Sequence, residues 1–217
     1  MYESKRIKMT QANIDKFDKG ALAYDDWFNR HAVLFQNEQK AILQALPKKG
    51  LGVEIGSGTG RFTKALNISI GVEPAAGMAK LAIARGIPVI KAVACSLPFH
   101  DQSFDYALMV TTVCFLDDIP NAFTEVFRVV KNDGCFIVAI IDRDSEMGKK
   151  YEAKKSTSPW YKDAHFHSVA EITELLSLSG FANFHFWQTL FTDKEQIEEP
   201  IPGFGTGSFV VIRSQKK

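Results

Sequence analysis

Along residues 14–46, the side chains of Phe17, Tyr24, Trp27, Phe28, Val33, Leu34, Ile42, Leu43 and Leu46 recur at steps of three and four with charges between them. That spacing predicts helix with one buried stripe, and Pro47 and Gly50 end it. From residue 51 the texture changes to short β-rich runs alternating with helical patterns, which predicts βαβ units and a mainly parallel sheet. Strands are expected at 51–55, 68–73, 88–92, 104–111 and 135–141. Between them fall a glycine-rich turn with a helix to about residue 66, and a helix from Ala75 that stops at Gly86. A further helix, capped by Asp118 and with Pro120 in its first turn, runs to Val130. Asn132, Asp133 and Gly134 are then expected to turn the chain.

Ser168 and Glu171 have the spacing of a capping box and open a helix that ends at Gly180. The last two strands, 182–190 and 208–213, have no helical segment between them, so they are expected to pair antiparallel instead of through a crossover. The predicted fold is α/β and Rossmann-like, a mainly parallel sheet with helices on both faces and an antiparallel end. Residues 142–167 read as one long irregular loop, a length that usually carries function.

Composition narrows the classes without choosing among them. With 46% hydrophobic and 24% charged residues in 217, the chain has the make-up of an ordinary globular protein. The net charge is +1 and basic residues gather only at the short tips 5–8 and 216–217, which argues against a nucleic-acid partner. The longest apolar runs, such as 135–141, fall far below the roughly 20 residues of a spanning helix, so no membrane partner is expected. Polar residues follow Met1, without the apolar stretch of a secretory signal. Cys95, Cys114 and Cys135 are odd in number and widely spaced, which predicts free thiols, a reducing compartment and a cytoplasmic location.

The chemistry concentrates at 54–60, where Glu54, Gly56, Ser57, Gly58 and Gly60 stand at the passage from the first strand to its helix. An open α/β sheet binds nucleotide-like ligands at such a passage, and glycines let the backbone turn tightly and approach a ligand. Glu73 ends the second strand, placed to accept hydrogen bonds from both ribose hydroxyls of an adenosine. A nicotinamide dehydrogenase would need a glycine where Arg61 stands, and no phosphate-binding GxxxxGK[ST] loop is present.

These segments, together with Ile70-Gly71-Val72-Glu73-Pro74 and Met78, Leu97-Pro98-Phe99 leading into Ser103-Phe104-Asp105, and the run 125–131, resemble the class I S-adenosylmethionine-dependent methyltransferases. Within them the likeness is to the ubiquinone/menaquinone-biosynthesis-like group of small-molecule enzymes. The resemblance implies a seven-stranded sheet with a reversed last strand, and S-adenosylmethionine as cofactor. It implies that Glu54 and the glycines flank the amino-acid part of the cofactor, that Glu73 with Pro74 holds the ribose, and that Met78 lies against adenine. Thr111, after the fourth strand, joins this set. Val93 stands where similar sequences place an acid for the adenine amino group, which leaves backbone groups of Ala94, Cys95, Ser96 and Leu97 to read that edge. The run 132–134 likewise replaces the usual Pro-Gly-Gly.

One domain is expected, in four parts: a helical lid at 1–47, a cofactor half at 51–141, a substrate loop at 142–167, and a helix with hairpin at 168–217. The expected partner is a small-molecule acceptor, and the expected assembly a monomer or homodimer. Tyr24, Trp27 and Phe28 on the lid, and Asp142, Arg143, Trp160 and Tyr161 on the loop, are candidates to line the acceptor pocket. Methyl transfer from a sulfonium needs alignment more than a base. Should a base take part, His31, His165 and His167 are the candidates. Two histidines one residue apart without a nearby acid or thiol make a poor metal site, so no metal is expected. The competing reading is a non-catalytic cofactor-binding module.

Overall fold

The computed structural model describes residues 11–192 and 194–217; the basic tip at 5–8 lies outside the described residues. Two helices open the chain, α1 (Gln11–Arg30) and α2 (Ala32–Ala45). They cover the helical stretch expected at 14–46. The break falls at His31, which leaves helical geometry (φ −122°, ψ 45°) while its ring stacks on Trp27.

The remaining elements are β1 (Gly52–Ile55), α3 (Arg61–Ala65), β2 (Ile70–Val72), α4 (Ala76–Ala84), β3 (Val89–Ile90), β4 (Phe104–Val110), α5 (Ile119–Val129), β5 (Val130–Ile141), α6 (Glu146–Lys154), α7 (Val169–Leu178), β6 (Phe181–Thr189), β7 (Ile201–Pro202) and β8 (Phe209–Lys216). They build one sheet in the order β3-β2-β1-β4-β5-β8-β6-β7. Strands β1 to β5 pair parallel, and β8 runs antiparallel to both β5 and β6. The reversed strand is therefore present as expected. The eighth strand is an addition, two residues long, and its Pro202 sits at an edge where a missing N–H costs no ladder bond.

Strand alternation divides the core into two layers. Ala107 and Met109 of β4 with Phe136 and Val138 of β5 face α5 and α7 through Phe123, Val126 and Ile172. Leu108 and Val110 with Ile137 and Ala139 face the other way, onto Ile42 of α2 and Phe62 of α3. Asp118 and Ser168 cap α5 and α7 as expected, Ser168 within a complete capping box.

Two expectations about the connections need correction. Asn132, Asp133 and Gly134 do not separate a helix from a strand: β5 already starts at Val130, and the register jumps between Phe104↔Val130 and Tyr106↔Cys135. They form a bulge with Asp133 at φ +62°, the region that Asp tolerates better than most residues. Residues 142–167 are not one irregular loop, because they contain α6, whose first turn is capped by the Ser145 hydroxyl accepting from the Gly148 amide at 3.0 Å. At the chain end, Lys216 is no basic tip. It is buried and its Nζ donates to the carbonyls of Phe127 (2.6 Å) and Val130 (2.8 Å). No described helix is long and apolar enough to cross a membrane.

Candidate active site

The strand order reverses between β1 and β4, the place where open α/β sheets bind ligands. After β1 the chain turns through Gly56, Gly58 and Gly60, with φ of +76°, +54° and +78°. The amides of Gly56 and Ser57 both donate to the Val72 carbonyl (2.8 and 3.0 Å), which fixes the turn to β2. A Cβ on Gly56 would lie 2.4 Å from Thr112 Oγ1, whereas one on Gly58 would meet nothing within 4 Å. Gly58 is thus the open apex of the loop. Its amide donates to Glu73 Oε2 at 2.9 Å, and the other oxygen, Oε1, accepts from the Ala75 amide at 2.8 Å. Each carboxylate oxygen keeps a lone pair for a further donor.

A trough of about 590 Å³, open to solvent on one side, runs over this loop. Gly56, Gly58, Val72, Glu73 and Thr111 line it together with Pro74, Met78, Ala92, Ala94, Phe115 and Leu116. Phe17 and Tyr24 of α1 roof it. A smaller cavity continues over Glu54, Ser57, Gly58 and Thr59. A third, of about 580 Å³, lies under α1 and α2 and is walled by Tyr24, Trp27, Phe28, Phe62, Tyr151, Trp160 and Tyr161. Tyr24 and Thr111 border all three. Thr111 sits at φ +47°, a strained position for a β-branched residue and one that occurs mostly at functional sites.

Burial sets the electrostatics. Glu54 is fully enclosed, takes the Thr63 hydroxyl as donor, and is pushed up to about 8 by desolvation, with the nearby Glu73 charge adding to the effect. Desolvation likewise raises Glu73 to about 7, against the pull of its two amide donors. Desolvation also raises the Tyr24 phenol, so that it stays protonated at neutral pH. Above the loop, Asp25 of α1 accepts from Thr59 Oγ1 (2.6 Å), from Arg61 Nε (2.9 Å) and from Arg85 (2.5 Å). Desolvation opposes ionisation of Asp25, but these donors outweigh it and hold its carboxyl near 2. Asp18 adds a bond from the Gly77 amide, so α1 is tied to α3 and α4 across the mouth of the trough.

A family described as a methyltransferase domain matches residues 53–138. A crystal structure from Thermotoga maritima, of an S-adenosylmethionine-dependent methyltransferase described as a possible histamine N-methyltransferase, is 45% identical; the match covers 94% of this chain and 99% of that one, with a TM-score of 0.91. The chain belongs to the S-adenosylmethionine-dependent methyltransferases. A curated relative from Methanocaldococcus jannaschii, the uncharacterized protein MJ1123, is 44% identical over 92% of this chain and 98% of its own length. The methyltransferase from Haloferax volcanii solved with its Trm112 activator shares the fold alone, at 18% identity over 92% of this chain and 96% of that one, with a TM-score of 0.68.

S-adenosylmethionine is the cosubstrate of this methyltransferase, and the residues present fit it. The trough has an open face at Gly58, where the backbone allows close approach. The larger cavity carries Glu73 and no basic side chain; the smaller one carries Glu54, and its Arg61 is paired with Asp25, so the two glutamates are acids that a sulfonium cation would draw into their charged form.

Several residues singled out in the sequence lie elsewhere in the methyltransferase. Gly60 borders neither the trough nor its extension; it packs on Ala82 and Ile87 at the start of α3. Ser57 borders the smaller cavity, but its hydroxyl lies against Gly71 and has no partner among the described residues. Of residues 94–97, only Ala94 faces the trough. The Ser96 amide is spent on the Val93 carbonyl, the Leu97 amide on Glu125, and the Cys95 thiol turns to the Asp118 carbonyl.

Tyr24, Trp27, Phe28, Trp160 and Tyr161 line one cavity, and Asp142 and Arg143 do not join them. Asp142 Oδ1 accepts from the Asp144 amide at 3.2 Å, and Arg143 pairs with both oxygens of Glu171 (2.7 and 2.9 Å), so both fasten the start of α6 and α7. His31 Nδ1 lies 2.9 Å from the Trp27 carbonyl, and neither His31 nor His165 borders the trough, its extension or the aromatic cavity. His167 borders a small pocket with Thr111 and Tyr161, and its Nε2 is buried without a partner among the described residues.

Glu38, Phe62, Met147 and Tyr151 of the aromatic cavity, and Phe17 and Phe115 of the trough, escaped the sequence reading. Phe17 had a signal, since it lies seven residues, two turns, before Tyr24 on the same helical stripe.

Proposed function

We propose that this methyltransferase transfers a methyl group to an oxygen, nitrogen or carbon atom of a small-molecule acceptor held in the aromatic cavity, acting in the cytoplasm. The observation that carries the reading is the junction at Tyr24 and Thr111, where the trough, its extension over the glycine loop and the aromatic cavity come together. In this reading Glu73 holds the ribose hydroxyls, Met78 and Leu116 enclose adenine, and Gly56, Gly58 and Glu54 take the amino-acid end. Bound there, the cofactor supplies a methyl carbon on a sulfonium, a leaving group that departs as a neutral thioether.

The chain contributes position and dryness. In-line displacement gains most of its rate from holding nucleophile and carbon in contact and aligned. The rings of Tyr24, Phe28, Trp160 and Tyr161 exclude water from the acceptor's side. The Asp25 network keeps α1 over the junction. The Thermotoga protein's description names an amine for that protein.

Calorimetric titration with S-adenosylmethionine and S-adenosylhomocysteine, beside a Glu73→Ala control, tests the cofactor half. Micromolar binding that the variant loses is the expected result. Undiminished binding by the variant would remove Glu73 from the site. Turnover of a panel of small acceptors tests the other half, and methylation confined to proteins or nucleic acids would overturn it.

A further inference from the structure

Helix α2 turns Leu34, Ala41, Ile42 and Ala45 inward, and Glu38 stands in the same stripe, one turn from Leu34 and one from Ile42. It is 6% exposed. The carboxyl belongs to the lining of the aromatic cavity, which holds no Lys, Arg or His. Among the described residues Glu38 makes no hydrogen bond and no ion pair. Its neighbour Asn37 shows the contrast: Nδ2 donates to the Gln196 carbonyl at 2.8 Å and Oδ1 accepts from the Glu198 amide at 3.0 Å.

The Glu38 carboxyl opens onto the cavity and meets no donor among the described residues, where an apolar side chain would pack at less cost. What the arrangement suits is a ligand that brings the missing partner. A single acid among ring faces complements a small organic cation, through a charge-assisted hydrogen bond and cation–π attraction. An anionic acceptor would hold the acid in its protonated form, one proton shared between two carboxyl groups, and a neutral one would offer the carboxylate no opposite charge.

We propose that the acceptor is a small organic amine, bound as its ammonium ion by Glu38 within the rings of Tyr24, Trp27, Tyr151 and Tyr161; for transfer to that nitrogen the carboxylate first takes back one N–H proton, which frees the lone pair that attacks the methyl carbon as the thioether leaves. The proposal rests on the reading of the aromatic cavity as the acceptor's site. It has a signature apart from turnover. Desolvation pushes Glu38 up to about 8, so in the empty protein the group is largely protonated at pH 7. Pairing with an ammonium ion then converts it to the carboxylate and releases its proton to solvent. The other titratable groups facing it are Tyr24 from α1, Tyr151 from α6 and Tyr161 beyond it; burial raises all three above the usual phenol value, so none titrates in this range.

The test titrates the protein, saturated with S-adenosylhomocysteine, with phenethylamine and tryptamine, and with the neutral 2-phenylethanol and the anionic 3-phenylpropionate as matched controls. Calorimetry is run at pH 7 in two buffers of different ionisation enthalpy. Expected is binding of at least one amine, at least tenfold tighter than either control, with proton release. Glu38→Gln should weaken the amine at least tenfold and abolish the release, with S-adenosylhomocysteine affinity unchanged within twofold; a thermal melt verifies that this near-isosteric variant is folded. An amine that binds no better than the alcohol or the acid, or that Glu38→Gln binds as the parent does, overturns the proposal. Failure of both amines while S-adenosylhomocysteine binds also overturns it. Failure of S-adenosylhomocysteine itself would instead strike the underlying reading.

Discussion

Glu73 and Gly58 are joined by a 2.9 Å hydrogen bond from the glycine's amide to the carboxylate, which ties the end of β2 to the open apex of the loop. The same carboxylate holds the Ala75 amide, so its position is fixed before any ligand arrives. Glu73→Ala removes both bonds and the acceptor offered to the ligand. A charged hydrogen bond is worth about 1.5–3 kcal/mol. Affinity for S-adenosylmethionine should therefore fall at least about tenfold in a calorimetric titration, and Glu73→Gln, which keeps one acceptor oxygen, should fall less. A variant within threefold of the parent would show that Glu73 serves the loop and not the ligand.

Asp25 is the anchor of α1, with Thr59, Arg61 and Arg85 all converging on it. Its folded carboxyl lies near 2 against an ordinary 3.8, so its contribution is present above pH 3.8 and is lost as pH falls through about 2. At neutral pH, Asp25→Ala should cost roughly 1–2 kcal/mol in chemical unfolding, after allowance for solvent screening. Because α1 roofs the trough, the variant should also weaken cofactor binding. A stability loss with unchanged binding would mean that the helix stays in place without this network.

Gly56 combines φ +76° with a Thr112 hydroxyl 2.4 Å from where a Cβ would stand. Gly56→Ala must strain the backbone and displace Thr112, next to the positive-φ Thr111. We expect a loss of roughly 2–3 kcal/mol and impaired cofactor binding. Gly86→Ala is the control: φ is +82°, yet nothing lies within 4 Å of the added carbon, so it should cost less and leave binding intact. Equal effects of the two on stability and binding would assign the whole cost to backbone conformation.

What was legible in the sequence, and what was not, follows from the range of the forces involved. The glycine loop, Glu73 and the capped helices α5 and α7 depend on residues a few positions apart, and the switch from helical to strand periodicity exposes them. The reversed strand followed from a missing crossover. The break at His31 had no glycine or proline to mark it, and a turn-prone 132–134 became a bulge because β5 already pairs from Val130. Helix α6 is polar nearly throughout, which hid its periodicity although Ser145 caps it. Asp142 and Arg143 stand at the functional end of the sheet, but Arg143 finds Glu171 twenty-eight residues on, a partner no local pattern shows. Glu38 did not stand out among the charges that separate the apolar positions of 14–46. Its environment comes from α1, α6 and the loop beyond, so only the fold reveals it.

The buried acids also predict how stability responds to pH. Glu38, Glu54 and Glu73 have folded values near 8, 8 and 7 against an ordinary 4.5. A group raised on folding binds more protons in the native state, so its contribution is complete below 4.5 and is lost as pH rises through the folded value. His167 is lowered by burial and works in the opposite sense, but only below its ordinary 6.5. Between pH 6.5 and 8.5 the acids act without that opposition, and the ligand-free protein should melt on the order of 5 °C lower at the upper end. Glu38→Gln and Glu54→Gln should each flatten the profile, since an amide does not ionise. Saturating S-adenosylmethionine should flatten it too, because a cation and ribose donors favour the carboxylates of Glu54 and Glu73. A melting temperature that rises across this window would show that these carboxyls are already ionised in the ligand-free protein.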